Sequence, residues 1–478
     1  MLRRVPLRRG ASVALHALAS LLLLSTSAAA QPAHAPAAPA PPPTAPRTAA
    51  QPAPTIEVND PQLAPVPPAP HVLASWREAL TLIANRSVDV AVAMQEIQRA
   101  EGLARQALAL ALPTITATGS ITGQIITGTI IVPPQPGFSV PSTNPSLLAT
   151  LSASQPILAP RAWYGIKTAD MGITSSRLSV EDKRRTVLAV VASSIVAVFT
   201  SERVVEINRN GLRSSLERLD LTRRKFRLGD GTKLDVLRAE QDAASTRSTL
   251  ISGDEALFQS RESLGLALGF NEAYGVPPAI SLGDIEQAVA GVCAPGPLEK
   301  RADIMQAKND LEIAKRGITD AWLAFSPFAT VSTVASVANS TQGQSGHAGA
   351  WQVQALLTIP LWEGGARYGT LRIAKANAEE SRLRLEATLR GASFDVAQAV
   401  RSVGVAEQGR HVSEQSRDLA REASRLAQRA YEVGTGTSFD LVDTAKAQRA
   451  AELDLAVKEF TVVKARITAL LAASVCNY

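Results

Sequence analysis

Polar and apolar residues alternate along four short segments of the chain, which is the pattern of strands with one wet and one apolar face. The clearest segment covers 115–125, where apolar residues alternate with threonine, serine and glutamine, and another begins at Trp351. Segments near 147–155 and 328–338 alternate less cleanly. The alternation predicts four strands, although a half-buried sheet in a soluble protein would show the same pattern.

Each pair of strands precedes a long segment with helical periodicity and no proline, at about 164–226 and 367–431. At 1.5 Å per residue, each helix would be about 90 Å long. Both helices are predicted to end at a Gly-x-Gly-Thr turn. Glycine permits the left-handed conformation that stops a helix. Returning helices then run to about 269 and 473. Narrow apolar stripes suited to coiled-coil packing lie at Leu188, Val191, Ile195 and Val198, and at Val396, Val400 and Val403.

The chain contains this plan twice. The segment 226–235 matches 431–440 in its two glycines, its threonine and its aspartate, at an offset of 205. Earlier matches at similar offsets occur in the same order along both halves, so a structural duplication is predicted. Each repeat is predicted as helix, strand, strand, long helix, tight turn and helix.

The predicted repeats cover 73–274 and 298–473, and a linker at 275–297 joins them. Their first helices are predicted at about 75–111 and 298–325. Pro113 and Pro327 follow these helices, in keeping with the way proline ends a helix.

The N-terminal part of the chain is predicted to be a targeting segment and a tether. Residues 1–30 combine four arginines, an apolar stretch and a small-residue cleavage site, which is typical of a secretory signal peptide. A membrane anchor is the alternative, but the apolar run is short for a membrane span. The Pro/Ala-rich segment 31–72 predicts an extended, poorly ordered tether. No run of eighteen apolar residues follows it.

Charge and candidate chemistry exclude several functional classes. The net charge is +6, and residues 1–30 contain four arginines and no acid, so the mature chain would carry +2. A nearly neutral chain gives no support for nucleic-acid binding. Neither His-Glu-x-x-His, Cys-x-x-Cys nor Gly-x-Ser-x-Gly occurs. The sequence therefore predicts no enzyme, no metal site and no cofactor.

In these features the chain resembles the TolC-like outer-membrane efflux proteins over about residues 73–473. The resemblance rests on the duplicated plan and on the strand-to-helix junctions at 155–158 and 359–365. Its most specific part is 431–443, with the sequence YEVGTGTSFDLVD.

The resemblance implies an α+β membrane protein that assembles as a homotrimer. Four strands from each chain would close a 12-stranded transmembrane β-barrel, continued by a long periplasmic α-helical coiled-coil barrel. The physics agrees, because an open sheet edge cannot face lipid and twelve strands can close around a water-filled lumen. The implied function is a passive exit duct of a tripartite efflux or type I secretion system. An inner-membrane pump would deliver substrates through a periplasmic adaptor.

The resemblance also implies a periplasmic gate formed by Asp440, Asp443 and Tyr431. Two carboxylates from each of three copies would crowd around one axis and favour cations. Alternatively, the aspartates are acids at a helix start, which the helix dipole favours, and Tyr431 packs beside the turn. The arginine that the family has in this turn is Gly436 here, which puts its latch to a neighbouring chain in doubt. In the first repeat, Asp235 is the counterpart of Asp440.

The two turns are candidate contacts for the adaptor, although good turn chemistry explains their glycines equally well. The candidate tip residues are Gly229, Gly231, Thr232, Gly434, Gly436 and Thr437. The two cysteines, Cys293 and Cys476, lie in segments that meet around the equator of the tube in the family. The resemblance therefore makes them a candidate disulfide, which export to an oxidising compartment permits.

A periplasmic coiled-coil scaffold without transport activity is the rival hypothesis. Such a scaffold would have no need of lipid-facing strands in each repeat.

Overall fold

The computed structural model describes residues 60–123, 125, 145–277, 282–339 and 349–476. Its helices are α1 (Trp76–Arg86), α2 (Val88–Ala109), α3 (Pro160–Leu228), α4 (Lys233–Ala267), α5 (Leu282–Val292), α6 (Ala302–Leu323), α7 (Ala366–Glu432) and α8 (Ser438–Ala473). Its strands are β1 (His71–Val72), β2 (Thr114–Thr122), β3 (Ser146–Leu158), β4 (Tyr274–Gly275), β5 (Cys293–Pro295), β6 (Phe328–Ala338), β7 (Gly349–Thr358) and β8 (Ser474–Cys476).

The four long strands form one antiparallel sheet in the order β2-β3-β6-β7. Residues that pair across the sheet share a face, so the register sorts the side chains into polar and apolar rows. One polar row is Thr114, Ser154, Ser332 and Gln354, and one apolar row of the other face is Ala117, Leu151, Ala335 and Trp351. The polar–apolar alternation, which is less regular in the sequences of β3 and β6, therefore matches the clear alternation of β2 and β7 once the strands are paired.

The two halves of the chain repeat the same elements, α2-β2-β3-α3-α4 and α6-β6-β7-α7-α8. Both long helices predicted from the sequence are present, with 69 residues in α3 and 67 in α7, so each extends about 100 Å. The prediction of a single helix over 75–111 is wrong. It is two helices, because the extended Ser87 ends α1 and its hydroxyl accepts a hydrogen bond from the Val90 N–H at the start of α2.

The long helices pack as two antiparallel hairpins, α3 with α4 and α7 with α8, and α3 also packs against α8. The four helices thus lie side by side in the order α4, α3, α8, α7. The predicted valine stripe of α7 is confirmed in part, because Val403 packs against a buried cluster of α7 and α8, whereas Val400 is exposed. Small residues are also buried at intervals of seven, at Ala392, Ala399 and Ala406, and Ala406 packs against Val462 and Ala465 of α8.

The main apolar core lies midway along α3, where α1 and the C-terminal ends of α4 and α8 meet it. The predicted α3 stripe is confirmed, because all four of its residues are at most 1% exposed. By length and composition α3 would be apolar enough to cross a membrane, the only described helix of which this holds. Its stripe, however, is part of this core.

The segment before α1 packs along the first hairpin. Leu63 and Val66 lie against an apolar cluster of α3 and α4. The Asp60 carboxylate accepts a 2.5 Å hydrogen bond from Arg247, and Arg261 donates to a backbone oxygen of the segment. The prediction of a poorly ordered tether is therefore wrong for residues 60–72. The rest of the predicted tether and the signal peptide lie outside the described residues.

The linker between the repeats contributes to two small sheets. Strand β4 pairs in parallel with β1, and β5 pairs antiparallel with β8 near the C-terminus. The linker also contains α5, which the sequence did not predict. The loops predicted between the long strands fall on residues 126–144 and 340–348, which are outside the described residues.

Candidate functional site at the hairpin tips

The tips of both hairpins are built by tight glycine turns. At the first tip α3 ends at Leu228, and Gly229 adopts a φ of 87°, a left-handed conformation that side chains disfavour. At the second tip α7 ends at Glu432, and Gly434 has a φ of 82°. The N–H groups of the residues that follow bond back to the last turn of each helix, as in a Schellman motif. The predicted helix stops are confirmed.

The returning helices begin with the same capping box. The Thr232 hydroxyl accepts from the Asp235 N–H at 3.2 Å, while the Asp235 carboxylate accepts from the Thr232 N–H at 2.9 Å. The second repeat has the same pair, because the Thr437 hydroxyl accepts from the Asp440 N–H at 3.1 Å. The predicted N-cap threonines are confirmed, and both tips present the other candidate contacts, Gly231 and Gly436, within these turns.

The two aspartates of the predicted gate differ in their surroundings. The Asp440 carboxylate accepts a 2.6 Å hydrogen bond from the Thr437 hydroxyl, so it completes the cap of α8. Asp443 lies nearly one turn further along the same helix, and both aspartates are exposed. Asp440 thus has the helix-start role, which was the alternative to the gate role. The gate role of both residues stays a prediction.

Tyr431, the third predicted gate residue, is 6% exposed at the last turn of α7. The Lys225 ammonium from the first-repeat tip donates a 2.5 Å hydrogen bond to the Tyr431 backbone oxygen. The same ammonium lies 4.3 Å from the centre of the Tyr431 ring. Tyr431 therefore joins the two hairpins through a cation–π contact as well as packing beside the turn.

A second contact joins the tips at the start of the returning helices. The Ser438 hydroxyl donates a hydrogen bond to Asp235 across the two repeats. Burial raises the pKa of Asp235, but hydrogen bonds from Ser438 and Thr232 outweigh it and hold that pKa below its ordinary value. Asp235 is therefore an ionised acceptor that ties the second hairpin to the first.

Sequence reasoning missed Lys225 and Ser438. A lysine in the last turn of a helix is ordinary, because cations favour helix C-termini. Ser438 stands where the first repeat has Lys233, and this difference between the repeats was the one available signal. The partners of both residues become visible only when the two hairpins are brought together.

The backbone brings the segments of the two cysteines together. In the antiparallel pair of β5 and β8, Cys293 is the direct partner of Cys476. Residues opposite each other in such a pair have Cα atoms about 4.5–5.5 Å apart, within the range that a disulfide requires.

The described fold is a small sheet continued by two long helical hairpins that contact each other at their tips. The sequence model of the outer membrane efflux protein family matches residues 79–270 and 297–470, which is most of the chain. This chain belongs to the outer membrane efflux protein family. The resemblance seen in the sequence is confirmed.

Individual relatives agree with the family assignment. The probable efflux pump outer membrane protein TtgC of Pseudomonas putida is 24% identical over 370 residues, covering 76% of this chain and 75% of TtgC. Nodulation protein T of Rhizobium leguminosarum bv. trifolii is 26% identical over 382 residues, covering 78% of this chain and 79% of that protein. The crystal structure of the outer membrane protein VceC from Vibrio cholerae has a TM-score of 0.68 at 18% identity. That match covers 83% of this chain and 95% of VceC, and it shows the shared fold.

As an outer membrane efflux protein, the chain is an outer-membrane component of an efflux system. The family consists of channel proteins rather than enzymes. The expected location and general function are thereby confirmed.

Proposed function

We propose that three copies of this chain form one passive exit duct. Their sheets close a 12-stranded barrel in the outer membrane, and their hairpins continue it as a tube across the periplasm. An inner-membrane pump delivers substrates to the tips through a periplasmic adaptor. The observation that carries this proposal is the two-faced sheet.

The sheet has the surface chemistry of one third of a water-filled barrel. Its polar face consists largely of hydroxyl and amide side chains, and β2, β3, β6 and β7 contain no charged residue. Its apolar face is uncovered in the single chain, with Ile115 72%, Trp351 79% and Val353 67% exposed. Within the described part of the chain, β2 and β7 are the two outer strands of this sheet, each with a neighbouring strand on one side only, and lipid would not tolerate an open sheet edge. Twelve strands from three copies would satisfy both edges of every sheet.

The helices also present matching surfaces to a second copy. Exposed apolar or small residues recur every seven positions at Leu237, Ala244, Ile251 and Phe258 on α4 and at Val405, Val412, Leu419 and Leu426 on α7. Such heptad stripes are typical of coiled-coil seams. Because α4 and α7 lie at opposite sides of the four-helix layer, α7 of one copy would meet α4 of the next. This arrangement closes a ring of hairpins.

In this assembly the tips form the periplasmic entrance. Asp440 and Asp443 from the three copies would face the axis, with Tyr431 holding the second hairpin against the first. The two glycine turns, at Gly229 and Gly434, would present the contacts for the adaptor. At the equator a Cys293–Cys476 disulfide would fix the linker to the C-terminal strand.

Single-channel recording in a planar lipid bilayer tests the proposal. Protein purified from outer membranes should insert and give discrete current steps, because its barrel is lined by uncharged polar groups. A periplasmic scaffold, the rival hypothesis, would give no channels and would fractionate without the outer membrane. That result would refute the duct.

A further inference from the structure

A cavity of about 910 Å³ lies where the sheet joins the helices. Its wall is formed by the C-terminal ends of α2 and α6, the N-terminal ends of α3 and α7, and the start of β6. Leu110, Leu323 and Phe328 are among its apolar lining residues. Pockets that bind small organic molecules have volumes of about 300–1,000 Å³. The cavity is therefore large enough for such a ligand.

Two ion pairs supply the charge in the cavity wall. Arg161 of α3 donates to the Asp320 carboxylate of α6 from Nε at 3.1 Å and from Nη2 at 2.9 Å. Within the described part of the chain, the Nη1 group of Arg161 donates to no other group, and this side chain is 58% exposed. A second pair, Arg367 with Glu363 of α7, leaves the rest of the wall neutral. Arg161 can therefore donate to the carboxylate of a ligand and keep its bonds to Asp320.

The helices indicate which way the cavity faces. Trp163 and Trp322 follow Arg161 and Asp320 by two residues, and two residues turn a helix by about 200°. The tryptophans thus lie on the opposite sides of α3 and α6 from the ion pair, and they do not line the cavity. Both are about half exposed, and their position at the end of the sheet suits an aromatic belt at the membrane surface. The cavity is therefore on the side that faces away from lipid.

Strand β6 places the cavity on the same side. Phe328 precedes Ser332 by four residues in this strand, and alternate side chains of a strand share a face, so both lie on the polar face of the sheet. Because Phe328 lines the cavity, the cavity lies at the helical end of that polar face. In the proposed barrel this face surrounds the lumen.

We propose that the cavity is a ligand site in the lumen wall of the duct and that it binds amphipathic carboxylates with an aromatic or aliphatic body. Arg161 donates to the carboxylate through Nη1, and the body lies against Leu110, Leu323 and Phe328. Each of the three copies contributes one site. The position of the site in a lumen rests on the proposed duct, whereas the binding itself does not.

Titration calorimetry of the full trimer in an uncharged detergent tests the site, with naphthoate as the probe. We expect one naphthoate to bind per chain. Gly165→Leu should lower the affinity by about tenfold or more, because Gly165 lines the cavity and a leucine there takes up space that the ligand needs. An added Cβ at Gly165 meets no atom within 4 Å, so the variant should fold.

The matched control is Gly172→Leu. Gly172 lies about two turns further along the same side of α3, and a Cβ there is equally free of contacts. It does not line the cavity, so this variant should bind naphthoate as the parent does.

A second comparison tests the role of the charge. Arg161→Gln with Asp320→Asn replaces the ion pair by two amides that can bond to each other, which keeps the contact between α3 and α6. This variant should bind naphthoate about tenfold or more weakly, because a hydrogen bond between two charged groups is lost. It should bind the uncharged naphthamide as the parent does. The cation naphthylmethylamine should bind the parent more weakly than naphthoate.

The outcomes separate the site from the duct. Absence of naphthoate binding to the parent, or equal affinity in Gly165→Leu and Gly172→Leu, would overturn the site. Equal affinity of the parent for the cation and for naphthoate would overturn the assignment of the ligand class.

Bilayer recordings test the position of the site. Naphthoate should reduce the current through the parent and leave that of Gly165→Leu unchanged. Binding in detergent without any effect on the parent's current would place the site outside the lumen and overturn the proposal. Absence of channels from the parent would refute the proposed duct, whereas the binding measured in detergent would stand.

Discussion

At the scale of single residues, Asp440 combines a local role with the proposed gate role. Its carboxylate caps α8 through Thr437, and Asp443 lies exposed on the same helix. Helix capping explains the presence of an aspartate at position 440, but it does not explain the aspartate at position 443. In the proposed trimer, two carboxylates from each of three copies would lie near one axis, where mutual repulsion favours the binding of cations.

We therefore expect a trivalent lanthanide ion added on the periplasmic side to block the single-channel current. Asp440→Ala with Asp443→Ala should abolish the block and leave trimer formation intact, because both residues lie far from the sheet. Asp440→Asn alone is the control for the cap, since an amide oxygen can still accept from Thr437. A double variant blocked as strongly as the parent would reduce these aspartates to helix-start residues.

Cys293 and Cys476 should form a disulfide within one chain, because the backbone makes them direct partners in β5 and β8. Peptide mapping without reductant should recover the two cysteine peptides as one linked species. Reduction should lower the free energy of unfolding by roughly 2–4 kcal/mol. If both thiols of the folded protein react freely with an alkylating reagent, the disulfide does not exist.

The sequence predicted the residues whose role is local, and it missed those whose role needs two hairpins. Thr232 was recognised as a helix cap because a cap depends on the next three residues. The buried Asp242 accepts from Arg218 nearby and also from Arg449, which is 207 positions away in the chain. The side-by-side arrangement of α3, α4 and α8 brings Asp242 and Arg449 together. Nothing in the sequence marks Gly211 as the position where the Arg449 side chain crosses α3.

At the scale of secondary structure elements, the exposed stripes of α4 and α7 make a direct prediction. The tip contacts, such as that of Asp235 with Ser438, place the tips of the two hairpins at the same height along the helix axes, which is the level meant here. Rotation about a threefold axis keeps that level. Ala244 on α4 should then lie near Leu419 and Leu426 on α7 of the neighbouring copy.

Ala244→Cys combined with Leu419→Cys or Leu426→Cys should therefore give disulfide-linked chains after mild oxidation. The control is Ala244→Cys with Val405→Cys, because Val405 is fourteen residues, about 21 Å, above Leu419. The native cysteines are replaced by serine in all of these variants. The α4–α7 seam would be contradicted if the control pair linked as readily as the near pairs. It would also be contradicted if no pair gave linked chains.

The elements themselves were largely predictable, because their periodicity is strong. A period of two along β2 and β7 and proline-free helical segments of more than sixty residues leave few alternatives. The errors have local causes. Ser87 ends one helix and caps the next, which splits the first predicted helix, and on α7 the exposed Val400 lies beside the buried Ala399.

At the scale of the whole molecule, the duplication predicted the architecture because each repeat supplies the same strands and hairpin. The segment before α1 was predicted less well. Its proline and alanine content is typical of a disordered tether, yet residues 60–72 bind along the first hairpin through Leu63, Val66 and Asp60. The composition of a segment contains no information about a surface elsewhere in the chain to which that segment binds, here the hairpin of α3 and α4.

The central claim is that three chains make one channel, since four strands cannot close a barrel. Native mass spectrometry of the complex extracted from outer membranes tests it most directly. We predict a single species with three times the mass of one mature chain that begins near Gln31. A stable particle of one or two chains with its β-structure intact would contradict the account.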